Sequence, residues 1–226
     1  MKSLFKGEMP GLVLFDLDGT LLDSVPDLAL ATDQMLQTLG RPPAGEEQVR
    51  SWVGNGAPML VKRALSGQQE PSQAELDQTL FDQAFPLFLD FYGNCCAAKS
   101  QLYAGVREFL DQLVAESVTM GLITNKPIGF TEPLLEEFRL QQYFSIVLGG
   151  DSLEQKKPDP LPLLHAMQQL QINPEQTLMV GDSRSDIHAA RAAGCPVVAV
   201  SYGYNHGEPI SGYQPDLIVD NLLELI

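Results

Sequence analysis

The sequence carries little positive charge. It has 14 lysine and arginine residues against 29 aspartate and glutamate residues, which gives a formal net charge of −15. No run of basic residues interrupts this negative excess. Binding to nucleic acid or to an anionic membrane surface would be opposed electrostatically, so we expect neither partner. An anionic substrate would have to be met by local positive groups or by a metal ion.

The sequence also lacks long apolar segments. No apolar stretch approaches the ~20 residues that a membrane-spanning helix needs. Residues 1–11 lack the apolar region of a signal peptide, so we expect a cytoplasmic protein. Cysteine is scarce as well, with Cys95, Cys96 and Cys195 only. Because neighbouring cysteines rarely bridge, we expect three reduced thiols.

Short apolar runs alternate with amphipathic segments over much of the chain. The runs predict strands, and the segments between them predict helices. The predicted strands lie at 12–15, 119–123, 145–148, 177–180, 197–200 and 217–219, and the predicted helices near 105–115, 131–140, 159–170 and 184–193. Strands that alternate with helices of this length indicate an α/β fold with a Rossmann-like parallel sheet, covered on both faces. Ligands of such sheets bind beyond the carboxyl ends of the strands.

Between positions 26 and 92 the pattern is helical throughout. This spacing predicts an all-helical insertion. We therefore expect a catalytic core formed by 1–23 and 100–226 and a helical cap domain formed by 24–99. The apolar residues at helical spacing include Leu28, Ala31, Met35 and Leu39, and later Leu76, Leu80, Phe81, Phe85 and Phe88.

Two aspartates, Asp16 and Asp18, follow the first predicted strand within the stretch FDLDGT. Residues i and i+2 of an extended chain point to the same side, so both carboxylates could converge on one ligand. Gly19 then lets the chain turn away. Carboxylates this close repel each other, and burial would raise one pKa unless a divalent cation neutralises the cluster. A turn with a helix cap is the plain structural alternative.

FDLDGT resembles the first motif of the haloacid dehalogenase superfamily. Three later stretches are similar to the other motifs of that family and follow in the same order. They are GLITN at 121–125, KKPDP at 156–160 and GDSRSD at 181–186. The resemblance covers the whole chain and places the helical insertion where the family has its mobile cap. It implies the same fold, a Rossmann-like core with an inserted helical cap.

The resemblance also implies a phosphomonoester hydrolase that works through an aspartyl-phosphate intermediate. In the family the first aspartate is the nucleophile and the second is the general acid and base, which are Asp16 and Asp18 here. Thr124 and Lys157 would bind the phosphoryl group, helped by the amide of Asn125. Lysine and threonine donors answer the need for local positive groups.

Magnesium is the cofactor that the resemblance implies. Mg²⁺ prefers oxygen ligands and retains several waters. Asp16, the backbone carbonyl of Asp18 and Asp182 would supply the protein ligands. Asp186 would bind through water or support the ligands from behind.

Specificity is expected to come from the cap, because the motif residues contact only the phosphoryl group. The stretch VGNGAP leads into a predicted helix with a proline in its first turn. Free amides at Gly54, Asn55 and Gly56 could bind a substrate anion. Arg63, further along that helix, could pair with a substrate carboxylate. A simple helix connector explains the glycines equally well.

Within the superfamily, the chain is similar to bacterial phosphatases that hydrolyse 2-phosphoglycolate to glycolate and phosphate. The stretches that carry this similarity are VGNGAPMLVKRAL, TNKP, GGDSLEQKKPDPLPLL and VGDSRSDIHAARAAGC with the following SYGYNHGE. The reaction is a salvage step for a fragment formed during DNA repair or by oxygenase side reactions. A sugar phosphate or another small phosphomonoester stays open as the substrate.

Other classes of function stay open too. A dehalogenase would keep the Asp16 nucleophile but would need neither Asp18 nor a metal. The intact pair of aspartates argues against this class. A phosphomutase would keep the phosphoryl group, and product analysis would distinguish it. A receiver-like signalling module would be phosphorylated on aspartate for minutes or longer, but it needs no substrate cap. We expect a monomer, with a weak dimer as the alternative.

Overall fold

A computed structural model describes residues 1–72 and 77–226 of the chain. The strands in these residues are β1 (Leu12–Phe15), β2 (Leu22–Asp23), β3 (Gln101–Leu102), β4 (Thr119–Ile123), β5 (Ile146–Leu148), β6 (Thr177–Gly181), β7 (Val197–Val200) and β8 (Leu217–Val219). The helices are α1 (Val25–Thr38), α2 (Glu46–Trp52), α3 (Ala57–Ser66), α4 (Gln78–Cys95), α5 (Val106–Ala115), α6 (Ile128–Glu137), α7 (Leu161–Leu170) and α8 (Arg184–Ala193). Leu76, used above to predict a cap helix, lies outside the described residues.

A parallel sheet with strand order β5-β4-β1-β6-β7-β8 forms the centre of the core. β1 pairs with β4 on one side and with β6 on the other. All four residues of β1 are buried, as expected for a strand covered on both faces. Because these three strands run in the same direction, Asp16, Thr124 and Asp182 follow them at one edge of the sheet.

Apolar side chains cover both faces of this sheet. Val13 and Phe15 face a cluster that includes the buried side of α5, while Leu12 and Leu14 face a cluster built with α7 and α8. The alternation follows from the two-residue period of a strand. The predicted α/β class with a parallel sheet covered on both faces is confirmed.

The strand bounds agree closely with the sequence patterns, whereas one helix is displaced. The helix predicted at 131–140 is α6, which begins at Ile128 and ends at Glu137. Its early start is fixed by Asp151, whose carboxylate accepts the N–H of Ile128 at 2.8 Å. Its early end coincides with Arg139, whose φ of 52° is left-handed.

The insertion is helical, as predicted. Helices α1 to α4 bury a separate apolar cluster that includes Val25, Trp52, Phe88 and Tyr92. The chain enters and leaves this region through β2 and β3, which pair antiparallel with Leu22 opposite Leu102. The domain bounds at 24–99 remain a prediction. Within the described residues, no helix is long and apolar enough to cross a membrane.

Candidate active site

Three carboxylates meet at the edge of the sheet. Asp16 follows β1, Asp182 follows β6, and Asp186 lies in the first turn of α8. One carboxylate oxygen of each lies within 4.8 Å of the other two. The positions follow from the strand order, because β1 and β6 are neighbours.

Hydrogen bonds fix the two aspartates that come after β6. The Thr20 hydroxyl donates to Asp182 Oδ1 at 2.9 Å, and the Tyr204 N–H donates to Oδ2 at 2.8 Å. Asp186 Oδ2 accepts from the Ser183 N–H at 3.0 Å and from its hydroxyl at 2.6 Å. Ser183 thereby caps α8, since its hydroxyl also accepts the Asp186 N–H.

Lys157 lies between two of these three carboxylates, those of Asp16 and Asp186. Its Nζ is 3.0 Å from Asp16 Oδ1 and 2.6 Å from Asp186 Oδ1, and it donates to the Ile123 carbonyl oxygen at 2.5 Å. The side chain is 2% exposed. The neighbouring Lys156 points elsewhere and donates to the carbonyl oxygen of Asn55 at 3.0 Å.

Burial makes this group of carboxylates difficult to ionise fully. Burial raises the pKa of Asp16 to about 7, although the Lys157 ammonium works in the opposite direction. Burial, with the charges of Asp16 and Asp186, also raises the pKa of Asp182 well above its usual range. When all three carboxylates are ionised, they exceed the single ammonium and leave a negative excess. This donor set fits a divalent cation such as Mg²⁺.

Asp18 pairs with a second lysine, Lys126. Its Oδ1 accepts the Ser24 hydroxyl at 2.5 Å, and both of its oxygens lie 3.0 Å from Nζ of Lys126. Burial acts to lower the pKa of Lys126, but the Asp18 carboxylate and the Tyr92 hydroxyl together outweigh it and raise that pKa. The side chains of Asp16 and Asp18 line one cavity without converging on one cation site. The sequence signal for Lys126 is its place in TNKP directly after β4.

Thr124 and Asn125 follow β4 and line the same cavity. Thr124 is buried, and its hydroxyl oxygen accepts the Lys126 N–H at 3.2 Å. The side-chain N–H of Asn125 donates to the Lys157 carbonyl oxygen at 2.9 Å, which ties two motif segments together. Asn125 Oδ1 is buried with no hydrogen-bond partner among the described residues.

The cavity lies between this polar edge of the sheet and the cap. Apolar cap side chains form much of its wall, and they are joined by Phe130 of α6. The apolar residues that line it are Leu28, Val53, Ala57, Leu60, Phe88 and Phe130. A phosphomonoester could place its phosphoryl group on the polar side and its organic group under the cap.

The loop before α3 also lines the cavity. Gly54, Asn55 and Gly56 all have positive φ, at 119°, 61° and 90°. The Asn55 side-chain N–H donates to the Ser185 hydroxyl at 3.4 Å, so the loop contacts the core. A β-carbon on Gly56 would lie 3.1 Å from the Asn125 carbonyl oxygen, which together with the positive φ favours glycine there. Anion binding by the amides of the loop remains a prediction.

Arg63 corrects one sequence-based expectation. Its side chain is 1% exposed and is not among the residues that line the cavity. Its guanidinium donates to the carbonyl oxygens of Trp52 and Gln69, each at 2.7 Å, and to Asn55 Oδ1 at 3.1 Å. The helix periodicity turns this face of α3 inward. Arg63 therefore holds the cap loop, and this position does not favour the predicted pairing with a substrate carboxylate.

Tyr204 joins the core to the cap. It lies in the segment GYNHG after β7 and lines the cavity, so this segment borders the site. Besides its N–H bond to Asp182, its hydroxyl oxygen accepts the Ser24 N–H at 2.9 Å. Its ring packs in the cap cluster.

Comparison with known proteins identifies the family. The sequence profile of the haloacid dehalogenase-like hydrolases matches residues 13–200, and the chain belongs to this family. Two bacterial relatives and one solved structure are similar over almost the whole chain. The phosphoglycolate phosphatase of Pseudomonas putida is 52% identical over 225 residues, which cover 100% of this chain and 82% of the relative.

A phosphoglycolate phosphatase of Nitrosococcus oceani is 48% identical over 218 residues, or 96% of each chain. The fold is similar to the crystal structure of a predicted phosphoglycolate phosphatase from Haemophilus somnus. That structure has a TM-score of 0.88 and 40% identity, and the match covers 95% of this chain and 96% of the other. The resemblance stated from the motifs is confirmed.

Proposed function

We propose that this hydrolase converts 2-phosphoglycolate and water to glycolate and inorganic phosphate. The observation that carries the proposal is the buried group of Asp16, Asp182 and Asp186 with Lys157, placed below an apolar cap. The named activity of relatives at about half identity over the full chain supports the choice of substrate.

Asp16 is the proposed nucleophile. Its Oδ1 accepts the Leu17 N–H at 2.7 Å and lies 3.0 Å from Lys157 Nζ, so the orientation of the carboxylate is fixed. Attack on phosphorus forms an aspartyl-phosphate as the bond to the bridging oxygen breaks. Lys157 and the Thr124 hydroxyl would bind phosphoryl oxygens as charge develops on them.

Asp18 is the proposed acid and base. In its protonated form it gives that proton to the leaving alkoxide, and the resulting carboxylate then takes one from the water that hydrolyses the aspartyl-phosphate. Ser24 at the start of the cap holds its Oδ1. One water is consumed, and glycolate and phosphate leave, so the two steps balance.

Mg²⁺ is the proposed cofactor. Asp16, Asp182 and the backbone carbonyl of Asp18 would hold it, with Asp186 behind them on Lys157. When bound, the ion supplies positive charge that offsets the charge of the phosphoryl group.

We also propose a cytoplasmic monomer. The three cysteines are free thiols, as a reducing compartment requires.

The test is phosphate release with Mg²⁺ across 2-phosphoglycolate, sugar phosphates, phosphoserine and a nucleotide. We expect kcat/KM for 2-phosphoglycolate to exceed the others by about 100-fold, which corresponds to about 2.7 kcal/mol. A chelator should remove activity and added Mg²⁺ should restore it. Similar kcat/KM values for all substrates would contradict 2-phosphoglycolate as the specific substrate. Full activity in the presence of a chelator would indicate metal-free chemistry. An aspartyl-phosphate that lasts for minutes would favour a signalling module.

A further inference from the structure

Lys126 is a buried cation that the proposed chemistry does not use. It is 6% exposed and lines the cavity. Among the described residues that line this cavity, the cationic side chains are Lys126 and Lys157. Lys157 lies on the phosphoryl side of the cavity, where it contacts Asp16, Asp186 and a main-chain carbonyl. Lys126 is therefore the cation nearest to the organic part of a substrate.

Tyr92 of α4 adds a second, independent observation. Its side chain is buried and lines the cavity, yet its hydroxyl makes no hydrogen bond of good geometry within the described part of the chain, although the Lys126 ammonium lies close to it. An unpaired buried hydroxyl is unfavourable, and native proteins rarely leave one without a partner. The ring centroid of Tyr92 lies 4.8 Å from Lys126 Nζ, so the cap residue and the core cation are neighbours.

The position of Asp18 indicates where a bound substrate would lie relative to Lys126 and Tyr92. Each oxygen of Asp18 is 3.0 Å from Lys126 Nζ, and Asp18 is the proposed donor to the bridging oxygen. In 2-phosphoglycolate a single methylene separates that oxygen from the carboxylate. The carboxylate must then lie next to Asp18, on the side of the cavity that holds Lys126. Elsewhere the carboxylate would meet apolar walls such as Phe88 and Phe130, where an unpaired charge is strongly unfavourable, or the uncharged loop 54–56.

We propose that Lys126 and Tyr92 form the subsite for the substrate carboxylate. The Lys126 ammonium has three N–H donors and is shared between Asp18 and the substrate, while the Tyr92 hydroxyl donates to the substrate. The inference rests on the proposed function and narrows the substrate class to phosphomonoesters with a carboxylate one carbon from the ester oxygen. Because Tyr92 belongs to the cap and Lys126 to the core, such a substrate joins the two.

The test compares 2-phosphoglycolate with ethyl phosphate, in which a methyl group replaces the carboxylate. The measured quantity is the ratio of their kcat/KM values, which cancels any common loss through Asp18. We expect Lys126→Met to lower this ratio about 10- to 100-fold, since a hydrogen bond to a charged group is lost. Tyr92→Phe removes only the unpaired hydroxyl and should lower the ratio about 3- to 10-fold. A binding measurement in an Asp16→Asn background should show the same ranking.

Lys62→Met is the matched control. Lys62 lies on α3 with Nζ 5.3 Å from the ring centroid of Phe81, and it does not line the cavity. The Lys62→Met substitution removes the same charge as Lys126→Met. It should leave the ratio of the two kcat/KM values as in the wild type. This control separates a local effect from the change in net charge.

Each outcome decides between the two proposals. Equal losses on both substrates, or an unchanged ratio in Lys126→Met, would overturn the subsite while wild-type preference for 2-phosphoglycolate keeps the proposed function. If Lys126→Met fails to fold, an unchanged ratio in Tyr92→Phe overturns the subsite by itself. A wild-type enzyme that hydrolyses both substrates equally would overturn the proposed substrate, and the subsite with it.

Discussion

The guanidinium of Arg63 donates a 2.7 Å hydrogen bond to the carbonyl oxygen of Trp52, at the point where α2 ends. With its bonds to Gln69 and Asn55, this side chain ties together the segments on both sides of α3. The buried carbonyls would lose their donors if the guanidinium were removed.

We therefore expect Arg63→Met to lower the free energy of unfolding by about 2–4 kcal/mol, because buried acceptors lose charged donors. Chemical denaturation checks this, with Lys62→Met on the same helix expected to change stability by less than about 1 kcal/mol. Unchanged stability together with a raised KM would restore Arg63 as a substrate contact.

Asp16→Asn should remove turnover while the fold persists. Asparagine has nearly the same shape but cannot form the acyl phosphate, and we expect a loss of roughly a thousandfold or more in kcat. Phosphate release and a thermal melt measure the two properties. Asp90→Asn, at an exposed position of α4, is the control and should leave both unchanged. Substantial residual turnover in Asp16→Asn would exclude the proposed nucleophile.

Gly203 is predicted to be essential for the position of Asp182. A β-carbon at Gly203 would overlap the side chain of Asp182, whose carboxylate is already held by Thr20 and the Tyr204 N–H. Gly203→Ala should therefore raise the Mg²⁺ concentration for half-maximal activity by about 10-fold or more, because a ligand is displaced. A magnesium titration measures it.

The control for that titration is Gly212→Ala. A β-carbon at Gly212 would meet nothing within 4 Å. The same magnesium dependence in Gly203→Ala and Gly212→Ala would show that Asp182 is not a ligand.

Stabilisation by Mg²⁺ should depend on pH. The pKa of Asp16 is raised from 3.8 to about 7 in the folded protein. The folded state therefore retains a proton that the unfolded chain releases, and without metal the free energy of unfolding falls as pH rises between these values. A metal ion binds the ionised form and competes with that proton.

The expected result is a larger increase of Tm on addition of Mg²⁺ at about pH 8 than at about pH 5.5. Thermal melts at the two pH values measure the difference, which should shrink in Asp16→Asn. An equal increase at both pH values would contradict a metal site built on Asp16.

Much of the fold and the frame of the site could be predicted from the sequence. Apolar runs and turn residues are local signals, so the bounds of β1, β4 and β7 follow from the sequence alone. Parallel order then brings Asp16, Thr124 and Asp182 to one edge. The roles of these residues remain predictions.

The remaining features depend on long-range contacts. Lys126 and Asp18 are 108 positions apart, and no local pattern shows that they pair. Helical periodicity places Arg63 on α3 but does not say whether its guanidinium meets a ligand or the carbonyls of its own cap. The start of α6 is set by Asp151, 23 positions after Ile128.

The short ribbon of β2 and β3 has a further consequence. The helical insertion starts and finishes at paired residues, Leu22 and Leu102, beside the sheet and outside its strand order. Replacing everything between them with a different helical segment would leave the register of the six parallel strands unchanged. The cap side of the cavity can therefore be exchanged as a unit, while the sheet edge that holds Asp16, Thr124 and Asp182 stays in place.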